Sequence, residues 1–228
     1  MIGIIGAMSI EIEAFRGLMS NCEEREHCGI LFTRGLFKGK ECVVAVCGVG
    51  KVNAAICAQT MILLYSPEII LNIGVAGAIS KDVKIGDVVV ASAVVQHDFD
   101  TTAFGDPKGF IPKVGRVDIP CSAKISESLM QGADLFPEIN FHQGIIATGD
   151  QFIHYASKLE RIASEFGAIA CEMEGGSIGQ VCNINGVDFC VIRTISDSAS
   201  EHSEEEYRKF LENAAKTSIK LLSVFLGK

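Results

Sequence analysis

Short apolar runs alternate with helical segments along almost the whole chain of 228 residues. Residues 2–7, 88–95 and 141–148 are such runs, and their length and β-branched side chains predict strands. Residues 204–225 carry apolar side chains at the spacing of an amphipathic helix. This alternation is typical of α/β proteins, and no linker or repeat interrupts it. We therefore expect one three-layer αβα domain spanning residues 1–228.

The composition argues against several classes of function. The net charge is −8 and Lys and Arg form no cluster, so we expect no nucleic-acid partner, because phosphate backbones require clustered cations. No apolar run is long enough to cross a bilayer, so we expect no membrane partner. The nine cysteines are scattered, without a Cys-x-x-Cys pair or zinc spacing. Reduced thiols, and the lack of a basic region before the first apolar run, predict a cytoplasmic location.

Ionisable residues stand where two apolar runs end in the carboxyl-terminal third of the chain. Glu172 and Glu174 follow the first run, and Arg193 and Asp197 follow the second. Open α/β sheets bind ligands at the carboxyl ends of their strands. The competing interpretation is a set of surface charges that pair with one another. We favour a ligand site, because both clusters end apolar runs and both carry acids.

Three further segments have less specific patterns. Gly48-Val49-Gly50-Lys51 resembles nucleotide-binding motifs but matches neither the dinucleotide fingerprint nor the P-loop, so we predict a tight turn that begins a helix. Residues 74–78 are small and predict a loop that lets a ligand approach the backbone. Residues 96–120 form the longest irregular stretch. The segment His97-Asp98-Phe99-Asp100 within it contains metal-ligand types, but no further ligand group accompanies it.

Glu11 admits two interpretations. Ser9 is placed to cap a helix that we expect over residues 9–19. Glu11 would then stand in the first turn of this helix, where the helix dipole favours acids. By pattern alone this structural role is favoured, and a functional role for Glu11 arises only from a family resemblance.

That resemblance rests on five motifs, which follow one another along the chain: Gly3-Ile4-Ile5-Gly6-Ala7-Met8 with Glu11, Thr102-Ala103-Phe104-Gly105, Gly149-Asp150-Gln151-Phe152-Ile153, Glu172-Met173-Glu174-Gly175 and Arg193-Thr194-Ile195-Ser196-Asp197. Together they resemble the nucleoside phosphorylase and nucleosidase superfamily, and within it the 5′-methylthioadenosine/S-adenosylhomocysteine nucleosidases. The resemblance implies a mixed sheet flanked by helices, a homodimer, and no cofactor or metal. It also implies hydrolysis of the N-glycosidic bond of an adenine thionucleoside, which releases adenine and a 5-thio-substituted ribose.

The resemblance also implies roles for individual residues. Asp197 would protonate N7 of adenine, which requires a raised pKa. Glu11 would deprotonate the attacking water, which Arg193 would help to hold. Glu174 would accept hydrogen bonds from the ribose hydroxyls, and Met173 would lie against the ribose. The resemblance further implies that Phe152 stacks on adenine and that the backbone of Ile153 hydrogen-bonds to the edge of the base. Phe104 of the neighbouring subunit would cover the 5′-alkylthio group, and Met8 and Tyr207 would form an apolar pocket around it. Ala76 and Ser196 would also contact the substrate.

The chain departs from these relatives at Val75, where many carry serine, and this leaves only the backbone near Ala76. Related purine nucleoside phosphorylases carry Arg and Ser where this chain has Asn72 and Val75, and neither of these can hold phosphate. Hydrolysis is therefore favoured, with two alternatives: a nucleosidase for another 5′-modified adenine nucleoside, of the aminofutalosine type, and a phosphorylase. A catalytically inactive nucleoside-binding protein is the alternative outside enzymes. Glu11, Glu174 and Asp197, the three acidic residues that the resemblance implies, are all present, and this argues for an active nucleosidase.

Overall fold

The computed structural model describes the backbone of residues 1–197 and 204–227, and the side chains of this part except those of Asp197, residues 204–209 and Glu212. Strands and helices alternate through it. The strands are β1 (Ile2–Gly6), β2 (Ser20–His27), β3 (Ile30–Phe37), β4 (Lys40–Val46), β5 (Ile69–Ala78), β6 (Val88–Gln96), β7 (Ile119–Pro120), β8 (Phe141–Thr148), β9 (Ala168–Glu172) and β10 (Asp188–Asp197). The helices are α1 (Ser9–Arg16), α2 (Lys51–Tyr65), α3 (Ala123–Met130), α4 (Ala156–Phe166), α5 (Gly175–Asn185) and α6 (Glu204–Phe225).

The described strands join one mixed sheet. β1 pairs in parallel with β4 and β5, and β3 and β2 extend the sheet beyond β4 as antiparallel strands. At the other end, β5, β10, β6, β8 and β9 pair successively, and β9 pairs again with β5. This half of the sheet therefore closes into a ring, whereas the sequence suggested an open sheet. The ring closes because Gly77 and Ala78 extend β5 far enough to pair with β9.

Helices cover both faces of the sheet. α1 packs against α6, and α2 packs against α5. A Cβ added at Gly3 of β1 would meet Met61 of α2, whereas one added at Gly6 would meet Ile12 of α1. Residues an odd number apart in a strand point to opposite faces, so α1 and α2 lie on opposite faces of the sheet. Successive residues Val88, Val89 and Val90 of β6 are buried, as in a strand that is covered on both faces. The predicted three-layer αβα architecture with a central mixed sheet is confirmed.

Two local predictions are wrong. Residues 74–78 are not a loop, because their backbone continues β5 and pairs with β10 and β9. Ser9 does not cap α1, because it is the first helical residue and Met8 occupies the N-cap position. The backbone donors at this end of α1 bond instead to the carboxylate of Glu11.

The strand β2 was not anticipated from the sequence. Its residues, Ser-Asn-Cys-Glu-Glu-Arg-Glu-His, are polar and almost all exposed. β2 forms the edge of the sheet beyond β3, where charged side chains discourage pairing with another chain. Both faces of this edge strand are exposed to solvent, so its sequence lacks the alternation of apolar and polar residues that identifies strands.

Candidate active site

A cleft opens where β1, β5, β9 and β10 end, next to the loop that follows β8. Small residues of β5 leave its backbone accessible there, as expected for a segment that a ligand approaches closely. The lining residues are Ala7, Met8, Glu11, Val49, Ile73, Gly74, Val75, Ala76, Gly77, Gln151, Phe152, Ile153, Cys171, Glu172, Met173, Glu174, Arg193 and Ser196.

Glu11 faces this cleft from the first turn of α1, and only 4% of it is exposed. Its Oε2 atom accepts hydrogen bonds from the backbone N–H groups of Ala7 at 2.8 Å and Met8 at 2.9 Å. Its Oε1 atom lies against Gly74, where an added Cβ would come within 2.9 Å of it. Burial raises the pKa of Glu11, against the opposing effects of the hydrogen bonds and of Arg193. A buried carboxylate with a raised pKa is a stronger base than an exposed carboxylate.

Arg193 lies inside the wall of the cleft and is 1% exposed. Its Nη2 atom donates to Oδ1 of Asn72 at 2.6 Å and to the carboxylate of Glu172, and its Nη1 atom donates to the Asn72 carbonyl at 3.1 Å. The Nε atom is buried without a hydrogen-bond partner among the described residues. Burial by itself would lower the pKa of Arg193, but the three carboxylates around it outweigh this effect and raise the pKa. The guanidinium is therefore charged.

Glu172, at the end of β9, connects several parts of the site. Its Oε2 atom accepts the N–H groups of Glu174 at 3.0 Å and Gly175 at 2.7 Å, and it pairs with Arg193. Its Oε1 atom accepts the hydroxyl of Thr148. Glu172 thus satisfies the first backbone donors of α5 and also compensates the buried guanidinium.

Glu174 precedes α5 and is also buried, at 6% exposure. Its Oε1 atom accepts the N–H of Gly50 at 2.8 Å. Gly48 and Gly50 have φ values of +84° and +98°, so the predicted tight turn before α2 is confirmed and requires glycine. Burial, and then the neighbouring charge of Glu172, raise the pKa of Glu174 to about 7. Glu174 therefore changes its protonation near neutral pH.

Apolar side chains complete the cleft. Phe152 is 64% exposed and forms part of its rim, while Ile153 beside it is buried. Ser196 donates a hydrogen bond of 3.4 Å to the carbonyl of Ala76. Val75 contributes no hydroxyl, but its backbone slightly opposes the rise of the pKa of Glu11. The remaining apolar lining comes from Met8, Val49, Ile73, Cys171 and Met173.

Most of the predicted site residues therefore meet in one cleft. They are Met8, Glu11, Ala76, Phe152, Ile153, Met173, Glu174, Arg193 and Ser196. Phe104 does not join them, because it is 88% exposed on the short turn Thr102–Phe104. The side chains of Asp197 and Tyr207 lie outside the described residues. The backbone of Asp197 ends β10 and is paired with Gly77, which lines the cleft.

Sequence reasoning assigned no individual role to Glu172 or Thr148, and it placed Gly50 only in a tight turn. Glu172 stood in the motif already singled out, but the pattern could not show which of its two acids would bind Arg193. Asn72 was read only as a residue unable to hold phosphate, and it proves to be a direct partner of Arg193. Contacts between distant strands leave no periodic signal, so the sequence held no further clue to them.

Among the side chains that the structure describes, no three His, Cys, Asp or Glu residues are arranged to hold a metal ion. Asp98, from the segment with metal-ligand types, instead accepts Nζ of Lys51 at 2.6 Å and the N–H of Asp150 at 2.9 Å. No helix within residues 1–197 and 204–227 is long and apolar enough to cross a membrane.

The fold and the cleft are those of an enzyme family. The family model described as the phosphorylase superfamily matches residues 1–227, so the chain belongs to the phosphorylase superfamily. An aminodeoxyfutalosine nucleosidase from Helicobacter pylori strain J99 is 41% identical over 97% of this chain and 96% of its own length. A 5′-methylthioadenosine/S-adenosylhomocysteine nucleosidase from Exiguobacterium sp. is 37% identical over 97% of this chain and 95% of its own length.

Solved structures agree with these sequence relatives. The 5′-methylthioadenosine/S-adenosylhomocysteine nucleosidase of Neisseria meningitidis, in complex with methylthio-immucillin-A, superposes with a TM-score of 0.94 at 33% identity. The superposition covers 99% of this chain and 98% of that protein.

Proposed function

We propose that this protein is a purine nucleoside N-glycosidase that hydrolyses 5′-methylthioadenosine and S-adenosylhomocysteine to adenine and a 5-thio-substituted ribose. Its relatives of known function are nucleosidases, and its cleft combines buried acids with an apolar wall. The continuous sheet supports the whole of residues 1–228 acting as one domain. No step of the proposed reaction requires a cofactor.

The charge of the cleft favours hydrolysis over phosphorolysis. Among the described lining residues, Glu11, Glu172 and Glu174 are acids, and Arg193 is the one cation. Both terminal nitrogens of Arg193 already donate to Asn72, and one of them also donates to Glu172. A phosphate dianion would therefore meet carboxylates without a free guanidinium to bind it. A neutral water avoids this repulsion.

Glu11 and Arg193 are the groups proposed to act on that water. Both contact the position of Gly74, since an added Cβ there would lie 2.9 Å from Oε1 of Glu11 and 3.5 Å from Cζ of Arg193. Arg193, whose positive charge lies beside this position, would help to hold the water, while Glu11 accepts a proton as the water attacks the anomeric carbon. The raised pKa of Glu11 makes it a stronger base than an exposed carboxylate.

The leaving adenine requires an acid and a stacking partner. Asp197 is the proposed acid at N7, and the pairing of its backbone with Gly77, which lines the cleft, supports this role. Phe152 on the rim is the proposed stacking surface for adenine, and the backbone of Ile153 would read the base edge. As the C–N bond breaks, the ribose gains positive charge. The neighbouring carboxylates, and the sulfur of Met173, would stabilise this charge, while Glu174 holds the ribose hydroxyls.

A second substrate is aminodeoxyfutalosine, because relatives at 41% identity are nucleosidases for it. Met8 and Val49 line the cleft without any charge, so they suit the apolar part of a larger 5′ substituent as well as a methylthio group. The chemistry at the glycosidic bond would be the same for both substrates.

The working unit is proposed to be a homodimer in which Phe104 of one protomer covers the 5′ group in its partner. Exposed apolar side chains support an interface, because monomers rarely expose clusters of this kind. Phe104 is 88% exposed, and the first three turns of α2 present Val52 at 69% and Ile56 at 42% exposure. Val49, which lines the cleft, directly precedes α2, so a partner seated on this face would reach the site.

Release of free adenine is the test of this proposal. The purified protein is incubated with methylthioadenosine, S-adenosylhomocysteine or aminodeoxyfutalosine, with and without phosphate, after dialysis against a chelator. We expect adenine and a reducing sugar at the same rate with or without phosphate. Formation of a sugar 1-phosphate, or dependence on phosphate, would show a phosphorylase instead.

A further inference from the structure

Thr148 is the last residue of β8, and it is fully buried outside the lining of the cleft. Its hydroxyl accepts a hydrogen bond of 2.6 Å from the N–H of Gly176 and donates one to Oε1 of Glu172. One hydroxyl thus joins the end of β8, the first turn of α5 and a carboxylate that contacts the site.

Glu172 transmits any movement of this hydroxyl to two groups of the proposed mechanism. Its Oε2 atom receives the N–H of Glu174 and the guanidinium of Arg193. Thr148 is the partner found for the other oxygen, Oε1, in the described part of the chain. The rotation of the carboxylate plane, and with it the direction of both contacts, therefore depends on Thr148.

Packing around Gly176 shows how closely Thr148 is held. A Cβ added at Gly176 would lie 2.8 Å from both Cβ and Oγ1 of Thr148. Contacts this short do not occur between real side chains, so glycine is required for the hydroxyl to reach the backbone of α5. The glycine at position 176, in the first turn of α5, therefore has a structural reason.

We propose that Thr148 is a positioning residue for glycoside hydrolysis, which orients Glu172 so that Arg193 points at the attacking water and Glu174 at the ribose. This inference rests on the proposed function. Thr148 does not touch substrate, and it acts through Glu172. Its contribution is the geometry of the reacting groups, where displacements of about 1 Å reduce rates strongly.

Two substitutions separate the hydroxyl from the shape of the side chain. Thr148→Val keeps the shape and removes the hydroxyl, whereas Thr148→Ser keeps the hydroxyl. We expect kcat/KM for methylthioadenosine to fall about 10- to 100-fold in Thr148→Val and to stay within about threefold of wild type in Thr148→Ser. Both are assayed well below their melting temperatures, so that the active fraction is the same.

A second pair of variants tests the same contact from the other side. In Gly176→Ala the new Cβ would lie 2.8 Å from Thr148. In Gly179→Ala, on the same helix, the new Cβ would lie equally close, at 2.8 Å, to Phe189 and Val94. We expect Gly176→Ala to lose activity as Thr148→Val does, and Gly179→Ala to lose stability while its folded fraction keeps wild-type kcat.

Each outcome bears on the inference. Wild-type activity in Thr148→Val would overturn it, and so would a Thr148→Ser variant as inactive as Thr148→Val. Equal loss of kcat in Gly176→Ala and Gly179→Ala would show general crowding of α5 and overturn it too. If the wild-type protein itself released no adenine, the proposed function would fail, and this inference with it.

Discussion

Replacing Glu174 by glutamine is expected to stabilise the protein above neutral pH while it reduces activity. Burial, and then the charge of Glu172, raise the pKa of Glu174 from 4.5 to about 7. A carboxyl group whose pKa is higher in the folded state favours folding at low pH, because the unfolded chain ionises first as the pH rises. The contribution is fully present below pH 4.5 and is lost as the pH rises through about 7.

The size of the effect follows from the two pKa values. At about 1.4 kcal/mol for each pH unit between them, ionised Glu174 costs the folded state on the order of 3 kcal/mol above pH 7. Glutamine keeps an oxygen that accepts the N–H of Gly50 and carries no charge. The Glu174→Gln variant should therefore unfold about 5–10 °C higher than wild type at pH 8, and the gain should shrink steadily towards pH 5.

The measurement is calorimetric unfolding of both proteins between pH 5 and pH 8, with adenine release assayed on the same samples. Glu13→Gln on the exposed face of α1 is the matched control, since it removes a carboxylate that is in contact with water. A gain for Glu174→Gln that did not change with pH would refute the reasoning. So would a loss of stability at pH 8.

Three further substitutions test the proposed roles. Glu11→Gln should lower turnover by about 10²- to 10⁴-fold while the melting temperature stays level or rises, and normal turnover would contradict the hydrolytic mechanism. Asp197→Asn should lower turnover to a similar extent but still bind adenine in calorimetry, and turnover near that of wild type would exclude Asp197 as the acid. Phe104→Ala should weaken binding of 5′-alkylthio nucleosides more than binding of adenine, and a fully active monomer in light scattering would rule out the shared site.

The α/β class could be predicted from the sequence, because each buried strand and amphipathic helix carries its own local pattern. β8 and α6 have the predicted boundaries, Phe141–Thr148 and Glu204–Phe225. The tight turn at Gly48 and Gly50 was also local, since it depends on two residues with positive φ. The cleft residues were found because acids following apolar runs, together with a family resemblance, pointed to the ends of particular strands.

Only the tertiary structure decided how these pieces cooperate. The closing of β5 onto β9, the pairing of Asn72 with Arg193, and the bond from Thr148 to Glu172 join residues far apart in the chain. Such contacts depend on how strands pair and how closely glycines let helices approach, and neither leaves a periodic trace in the sequence. The protonation of Glu11 and Glu174 likewise depends on burial, which exists only after folding. The sequence by itself therefore determined most of the elements and which acids stand at the ends of the apolar runs, while packing decided their charge, their partners and their direction.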